Sequence, residues 1–446
     1  MNIKYYNLSN FDTIPQIYKL TQEQINAIKI VGNVLPFKIN NYVIDELIDW
    51  NNIPNDAIFQ LVFPQKGMLT EKNYNIVENA LNSNVPKEDL RKIINEIRYK
   101  LNPHPAGQKN DNIPEVDGIK LTGVQHKYNQ TVLFFPNHGQ TCHSYCTFCF
   151  RWPQFIGVDE LKFASNETEF LIKYIKKNEQ ITDVLFTGGD PMVMSAKRLE
   201  AYINPILEAD LPNLKTIRIG SKSLAYWPYK YTTDKDSEDI LKLFKKIVDK
   251  GLHLSFMAHF NHPTEMKTDV VKKAIKNILA TGAQIRTQSP IMKHINDDPI
   301  IWENMWKEQV KLGMIPYYMF IARDTSAQEY FAVTLEDALE TYNKAYKNIS
   351  GVVRTVRGPS MSAAPGKVQL LGINEINGEK VFMLKFLQAR NTDWLEKPFC
   401  AKYDPNAIWL DDLKPAFDKK NFIFDEDEFM SQSDVKNIIE NKIIYN

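Results

Sequence analysis

The chain has 446 residues, with 54 Lys+Arg against 54 Asp+Glu, a formal net charge of zero and 43% hydrophobic residues. Balanced charge argues against a broad basic surface for nucleic acid or anionic membrane. The apolar content is that of a globular protein, and the length fits one large barrel with accessory segments.

Residues 1–30 lack the basic start, apolar core and small-residue cleavage site of a secretory leader. No stretch reaches the roughly 18 apolar residues of a spanning helix. A soluble, cytoplasmic protein is expected, with neither nucleic acid nor membrane as partner.

In chain order, residues 1–115 read as a mostly helical, polar segment, with apolar periodicity in Gln22–Leu35 and Lys87–Leu101. Asn102–Pro114 (NPHPAGQKNDNIP) reads as a loop. Over 116–348 the pattern changes. Short apolar runs stand at Thr131–Pro136, Asp183–Thr187, Thr216–Gly220, His253–His259, Gln284–Ser289 and Ile315–Ile321. Amphipathic segments separate them: Glu167–Lys177, Ala196–Ala209, Glu238–Lys250, Thr268–Ala280 and Asp298–Leu312. Strand and helix in alternation mean βαβ units and a parallel sheet. Six units fall short of a closed eightfold barrel, so the expected fold is α/β, a partial (β/α)6 barrel. A helix over Thr334–Asn348 ends this region. Residues 349–446 form a C-terminal extension with apolar runs at Val352–Val356, Val368–Leu371 and Val381–Leu384. Its tail, from Asp393, reads as an oligomerisation arm or a lid, which leaves a homo-oligomer open.

Of four cysteines, three lie within eight residues: Cys142-His-Ser-Tyr-Cys146-Thr-Phe-Cys149, just after the first apolar run. A disulfide framework would spread them along the chain. Clustered at the C-terminal rim of a barrel, they point to metal in a reducing compartment. Three thiolates this close can wrap one face of a [4Fe–4S] cube and leave its fourth iron open to a chelating ligand. A structural zinc is the alternative, but it wants a fourth close ligand, and His143 on the same tight loop is poorly placed to supply it. Thr147, Phe148 and Phe150 would give such a cluster a dry wall. Cys400 stands alone and reads as a partly buried thiol.

The CxxxCxxC spacing, with an aromatic before the last cysteine, resembles the radical S-adenosylmethionine (SAM) enzymes. Thr187-Gly188-Gly189-Asp190-Pro191, at the end of the second run, has glycines that let backbone approach a ligand. It is similar to the segment that binds the SAM amino group in those enzymes, which implies Gly188, Gly189 and Asp190 as SAM contacts. His259-Phe260-Asn261-His262-Pro263, the frame Gln288–Asp297 and Pro316-Tyr317-Tyr318 narrow the resemblance to the lysine 2,3-aminomutase family of radical SAM enzymes, from about Asp45 to Val368. The resemblance implies SAM contacts at His259 and Gln288.

It also implies pyridoxal 5′-phosphate (PLP) as a second cofactor, covalently held by Lys367 after the small-residue stretch Ser360–Gly366. A family residue that binds the PLP phosphate falls on Lys127, within His126-Lys127-Tyr128. A second family arginine falls near Thr131, where this chain has none. The implied reaction moves the α-amino group of an amino acid to the β-carbon, with an electron donor such as flavodoxin or ferredoxin as partner. Arg151 matches the residue that grips the substrate α-carboxylate, through a bidentate guanidinium pair.

Two aspartates hold the distal ammonium in lysine-using relatives, and their positions fall here on Arg323 and Ser360. That inversion of charge implies a glutamate-like substrate over free lysine. The alternatives are a member of the family acting on lysine or a protein lysine and, in another class, an iron–sulfur or zinc binding protein without SAM chemistry.

Overall fold

The computed structural model describes residues 2–102, 112–156 and 164–425. The strands, in chain order, are β1 (Tyr5–Asn7), β2 (Lys38–Asn40), β3 (Glu115–Val116), β4 (Ile119–Lys120), β5 (Val124–Tyr128), β6 (Thr131–Phe134), β7 (Asp183–Phe186) and β8 (Thr216–Ser221). They continue with β9 (His253–His259), β10 (Gln284–Ile291), β11 (Ile315–Ile321), β12 (Arg357–Ser362), β13 (Gly366–Ile376), β14 (Glu379–Ala389) and β15 (Pro398–Lys402). Among the described residues, β5 to β15 form one sheet in unbroken sequence order. Strands β6 to β11 run parallel, which is the partial (β/α)6 barrel.

The core follows from the pattern of apolar positions. Strand β9 (HLSFMAH) is buried along its five central residues, as a parallel strand covered on both faces must be. The helix Ser237–Asp249 buries Ile240, Leu243, Phe244 and Ile247, one stripe at helical spacing. Outer helices start on side-chain caps: Ser195 accepts from the Arg198 amide, Thr268 from Val271 and Thr334 from Asp337.

Beyond β11 the sheet changes character. Strand β12 runs parallel to β11, and β13, β14 and β15 then add antiparallel. The sheet curls until β14 comes back against β5 and closes part of the gap that six units leave. The apolar run Val352–Val356 is largely turns, and the strand begins at Arg357. Ser360–Gly366 is no long loop either. Ser360, Met361 and Ser362 pair with Gln369, Val368 and Lys367, so only Ala363–Pro365 form the bend. The apolar run at 352–356 is too short to be told from a buried turn by composition alone.

The N-terminal segment is mostly helical, with helices Gln22–Val34, Ala57–Val62, Glu71–Asn82 and Lys87–Lys100. One of its contacts with the barrel is made by Asn40, at the end of β2. Asn40 is fully buried and its Nδ2 donates to the carbonyls of His143 and Tyr226 and to the Ser144 hydroxyl, while its Oδ1 accepts from the Val43 amide. No helix among the described residues is long and apolar enough to cross a membrane.

Replacing Asn40 by Ala leaves two buried carbonyls and one amide without their partner. We expect a loss of about 3 kcal/mol, seen as a lower denaturant midpoint at unchanged slope. A shift under about 0.5 kcal/mol, the range of an ordinary surface change, would show that water replaces the side chain.

Candidate active site at the mouth of the barrel

The residues singled out in the sequence gather where the parallel strands end. The cysteine segment follows β6, Gly188–Asp190 follow β7, His259 closes β9, and Gln288 lies in β10 beside it. Gln288 pairs in turn with Tyr318 of β11. The Phe148 ring packs edge-on against His259, 5.6 Å between centroids. The Lys367 Nζ sits 3.9 Å from the centre of the Tyr318 ring. A chain of direct neighbours therefore runs from the cysteines to Lys367 across the mouth.

Residues 142–149 have no helix or strand of their own. Neighbours set their path. Lys38 donates to the Cys142 carbonyl (2.8 Å), the Tyr145 amide to the Lys38 carbonyl (2.8 Å) and the Thr147 amide to the Leu61 carbonyl (2.9 Å). The Thr147 hydroxyl donates to the Gln60 carbonyl at 2.8 Å, so this side chain serves the N-terminal segment. From the barrel side, the Asp190 amide donates to the Thr141 carbonyl (2.7 Å).

The three thiols are half-buried by surface and deep in the protein. Burial pushes Cys146 up to about 11 and Cys149 up to about 12, and lifts Cys142 well above its ordinary value, with neighbouring thiolates adding to the effect on Cys142 and Cys149. A cationic centre would reverse that balance and draw the thiolate forms. Among the described residues no three His, Cys, Asp or Glu side chains converge on a point that could hold a single metal ion. Three thiolates on one short segment can offer one ligand to each of three irons of a cluster. That donor set fits a [4Fe–4S] group better than a zinc ion. His143 is buried, and burial holds its ring down to about 3.

The glycines of the turn after β7 face the cysteine segment. A Cβ on Gly188, which has φ +134°, would collide with the Gln140 side chain, and one on Gly189 would lie 2.5 Å from the Thr141 carbonyl. Close packing is thus one reason for both glycines, against the Gln140 side chain at Gly188 and against the Thr141 backbone at Gly189. Asp190 is buried, and its carboxylate accepts from Ser221 Oγ (2.7 Å) and from the amides of Met192 and Lys222 (both 2.9 Å). Burial still raises it to about 6. It binds the ends of β7 and β8 to each other.

Burial holds the His259 ring neutral, well below its usual range, with Lys222 adding to the effect. His262 serves its own turn, with Nδ1 near the Thr264 hydroxyl and amide. Behind them lies a group with no counterpart in any sequence pattern. Lys222 donates to Glu265 (2.6 Å) and Asn261 (2.7 Å), and its Nζ sits 4.5 Å from the Tyr226 ring centre. The Tyr226 hydroxyl lies 3.6 Å from the Cys146 sulfur. Isolated Lys, Glu and Asn residues carry no periodicity, and only the register of β8 and β9 brings them together.

At the other side of the mouth the charges are positive. Burial first, and then Arg218, Lys127 and Arg357, push the Lys367 ammonium down to about 7. Burial, Arg390 and Arg323 do the same for Lys127, also to about 7. The Lys127 ammonium donates to the Ala363 carbonyl, on the bend that precedes Lys367. These residues fit a pyridoxal phosphate: an amine near its neutral form, aromatic rings beneath it, and cations beside it.

Arg151 is held against Phe135 and Phe150, its guanidinium carbon 4.5 and 5.0 Å from the ring centres. Arg323 lies against the same Phe150, at 5.1 Å. Its Nε is buried without a hydrogen bond, and Asp324 stays 3.9 Å away. The two guanidinium groups therefore flank one phenyl ring, and each makes the other's neighbourhood more positive. Ser360 is fully buried, with its hydroxyl 3.4 Å from the Met319 carbonyl.

No family model matches the chain. A protein of Aquifex aeolicus named provisionally as an L-lysine 2,3-aminomutase is 30% identical over 396 residues, covering 89% of this chain and 92% of the relative. The glutamate 2,3-aminomutase of Clostridioides difficile is 24% identical over 416 residues, covering 93% of this chain and 83% of the relative. Among solved structures, a radical SAM methyltransferase from Sphaerobacter thermophilus aligns with 66% of this chain and 94% of its own, at 12% identity and a TM-score of 0.39.

The low position of Lys367 predicts its reactivity. With the ammonium held down to about 7, the fraction of reactive free amine should rise through that pH. Trapping of pyridoxal at Lys367 with borohydride should reach half its plateau near pH 7. A midpoint near the 10.5 of an ordinary lysine would show that neither burial nor the neighbouring cations act on it.

Proposed function

Because this chain belongs to the lysine 2,3-aminomutase family of radical SAM enzymes, we propose that it moves the α-amino group of an amino acid to the β-carbon. One observation carries the reading: the line of neighbours Phe148, His259, Gln288, Tyr318 and Lys367, which joins the cysteine segment to a lysine of lowered basicity across one mouth. In this reading Cys142, Cys146 and Cys149 ligate a [4Fe–4S] cluster. Gly188, Gly189, Asp190, His259 and Gln288 form the SAM side, with Asp190 acting through the turn it braces. Lys367 and Lys127 hold PLP. When bound, the cluster and SAM supply hydrogen-atom abstraction, and PLP supplies an activated amino group.

The protein's own part is positioning and exclusion of water. Arg151 binds the substrate α-carboxylate. Phe148, Phe150 and Tyr318 wall the reacting centre. Neutral His259 offers a hydrogen bond without charge. Arg323 and Ser360 stand at the substrate's far end.

Two readings of the substrate are supported by different observations. The paired guanidinium groups on Phe150 favour an acidic amino acid, glutamate or aspartate, with Arg323 taking the distal carboxylate. The names of the relatives favour lysine: the one at 30% identity bears that name, while the glutamate enzyme stands at 24%.

Anaerobic reconstitution with iron, sulfide, SAM and PLP, followed by a screen of glutamate, aspartate, lysine, arginine and glutamine for β-isomers, decides between them. Turnover of glutamate or aspartate well above lysine, lost in Arg323→Asp with SAM cleavage retained, supports the acidic reading. Lysine well above glutamate replaces it with the second. Cys146→Ala should lose iron loading and SAM cleavage together, and a variant that keeps both would refute the cluster assignment.

A further inference from the structure

Lys127 is a single cation, and the position where a second basic residue was expected holds Thr131. The Thr131 hydroxyl donates to Asp183 (3.0 Å) and receives a hydrogen bond from Arg218 (3.3 Å). Arg218 in turn is paired with Asp183, its Nε 2.9 Å from Oδ1 and its Nη2 on Oδ2. That arginine lies close enough to disfavour the charge on Lys367, but a carboxylate already balances it.

The structure supplies another cation from a distant part of the chain. We infer that Arg390, just past the end of β14, forms with Lys127 an anion site on the bend before Lys367, and that this site takes the phosphate of PLP. This inference rests on the reading that Lys367 carries PLP.

Three observations support it. The first is placement. Lys127 donates to the carbonyl of Ala363, Arg390 Nε to that of Ala364 (2.9 Å), and the Arg390 amide to that of Pro365 (3.1 Å). Two cations are thus seated on successive carbonyls of the three-residue bend that leads into β13. The second is charge. Arg390 and Arg323 both act on Lys127 and on the buried Tyr128, so the cations share one small volume. Among the described residues no carboxylate forms an ion pair with Lys127 or Arg390, in contrast to Arg218. Like charges crowded under partial burial disfavour one another, and a doubly charged anion offsets that cost. The third is topology. Lys127 is on β5 and Arg390 follows β14, the two strands that meet where the sheet curls upon itself. Closing the gap is what brings the pair together.

The test compares PLP with pyridoxal, which has the same aldehyde and ring without the phosphate. Binding is read by absorbance and by the borohydride-trapped mass on the peptide of Lys367. Wild-type protein should bind PLP at least about tenfold more tightly than pyridoxal, from one charge-assisted contact. Arg390→Gln should lose most of that preference while binding pyridoxal as before, and Arg390→Lys should keep much of it. Unchanged PLP affinity in Arg390→Gln, or an equal loss of both aldehydes, overturns the inference, the latter because it marks a merely structural role. If wild-type protein traps pyridoxal but shows no preference for PLP, the phosphate site fails and the lysine stands. If neither aldehyde reaches Lys367, the reading beneath the inference fails with it.

Discussion

Everything at the mouth depends on how the irregular segment from Thr141 to Cys149 is held. It has no helix or strand to fix its shape, so its hydrogen bonds must be made by others. On one side Lys38, Asn40, Gln60 and Leu61 supply or accept them. On the other side the amide of Asp190 reaches back to Thr141, and glycines at 188 and 189 let the two backbones touch. Asp190 itself is anchored to Ser221 and Lys222 at the end of β8. The cysteines are therefore positioned by three parts of the sequence at once. Loosening any one of them moves sulfur atoms without touching a cysteine.

The second organising feature is an imbalance of charge that the whole-chain composition hides. A chain of zero formal net charge brings Lys127, Arg323, Lys367 and Arg390 into electrostatic reach of one another, with Arg151 beside Arg323 on Phe150. The carboxylates that stand nearby are already engaged, as Asp183 is with Arg218. Desolvation strengthens such a field, so this part of the molecule favours negative charge over positive.

Much of this was legible in the sequence. The alternation of apolar runs and amphipathic segments located the six barrel strands β6 to β11 and the helices between them, because periods of two and 3.6 are imposed locally by the backbone. The cysteine spacing and the glycine pair are local patterns visible in the sequence, whereas Lys367 stood out only through the family resemblance, since its neighbours Tyr318, Arg218 and Lys127 are far away in the chain. The turns at 352–356, the tight hairpin at 363–365 and the buried pair Lys222–Glu265 were not. They depend on register between strands far apart in the chain, and no local pattern encodes that. The role of Asp190 is an intermediate case. Its turn was visible, but its carboxylate is engaged by β8, which only the fold reveals.

The return of β14 onto β5 also bears on what a shortened chain would keep. The elements that hold the cysteine segment all lie before the end of the parallel strands, whereas Lys367 and Arg390 sit on the hairpin that comes after them. A chain ending before Ala389 would keep the elements that hold Cys142, Cys146 and Cys149 and would lack both Arg390 and the closing contact of β14 with β5.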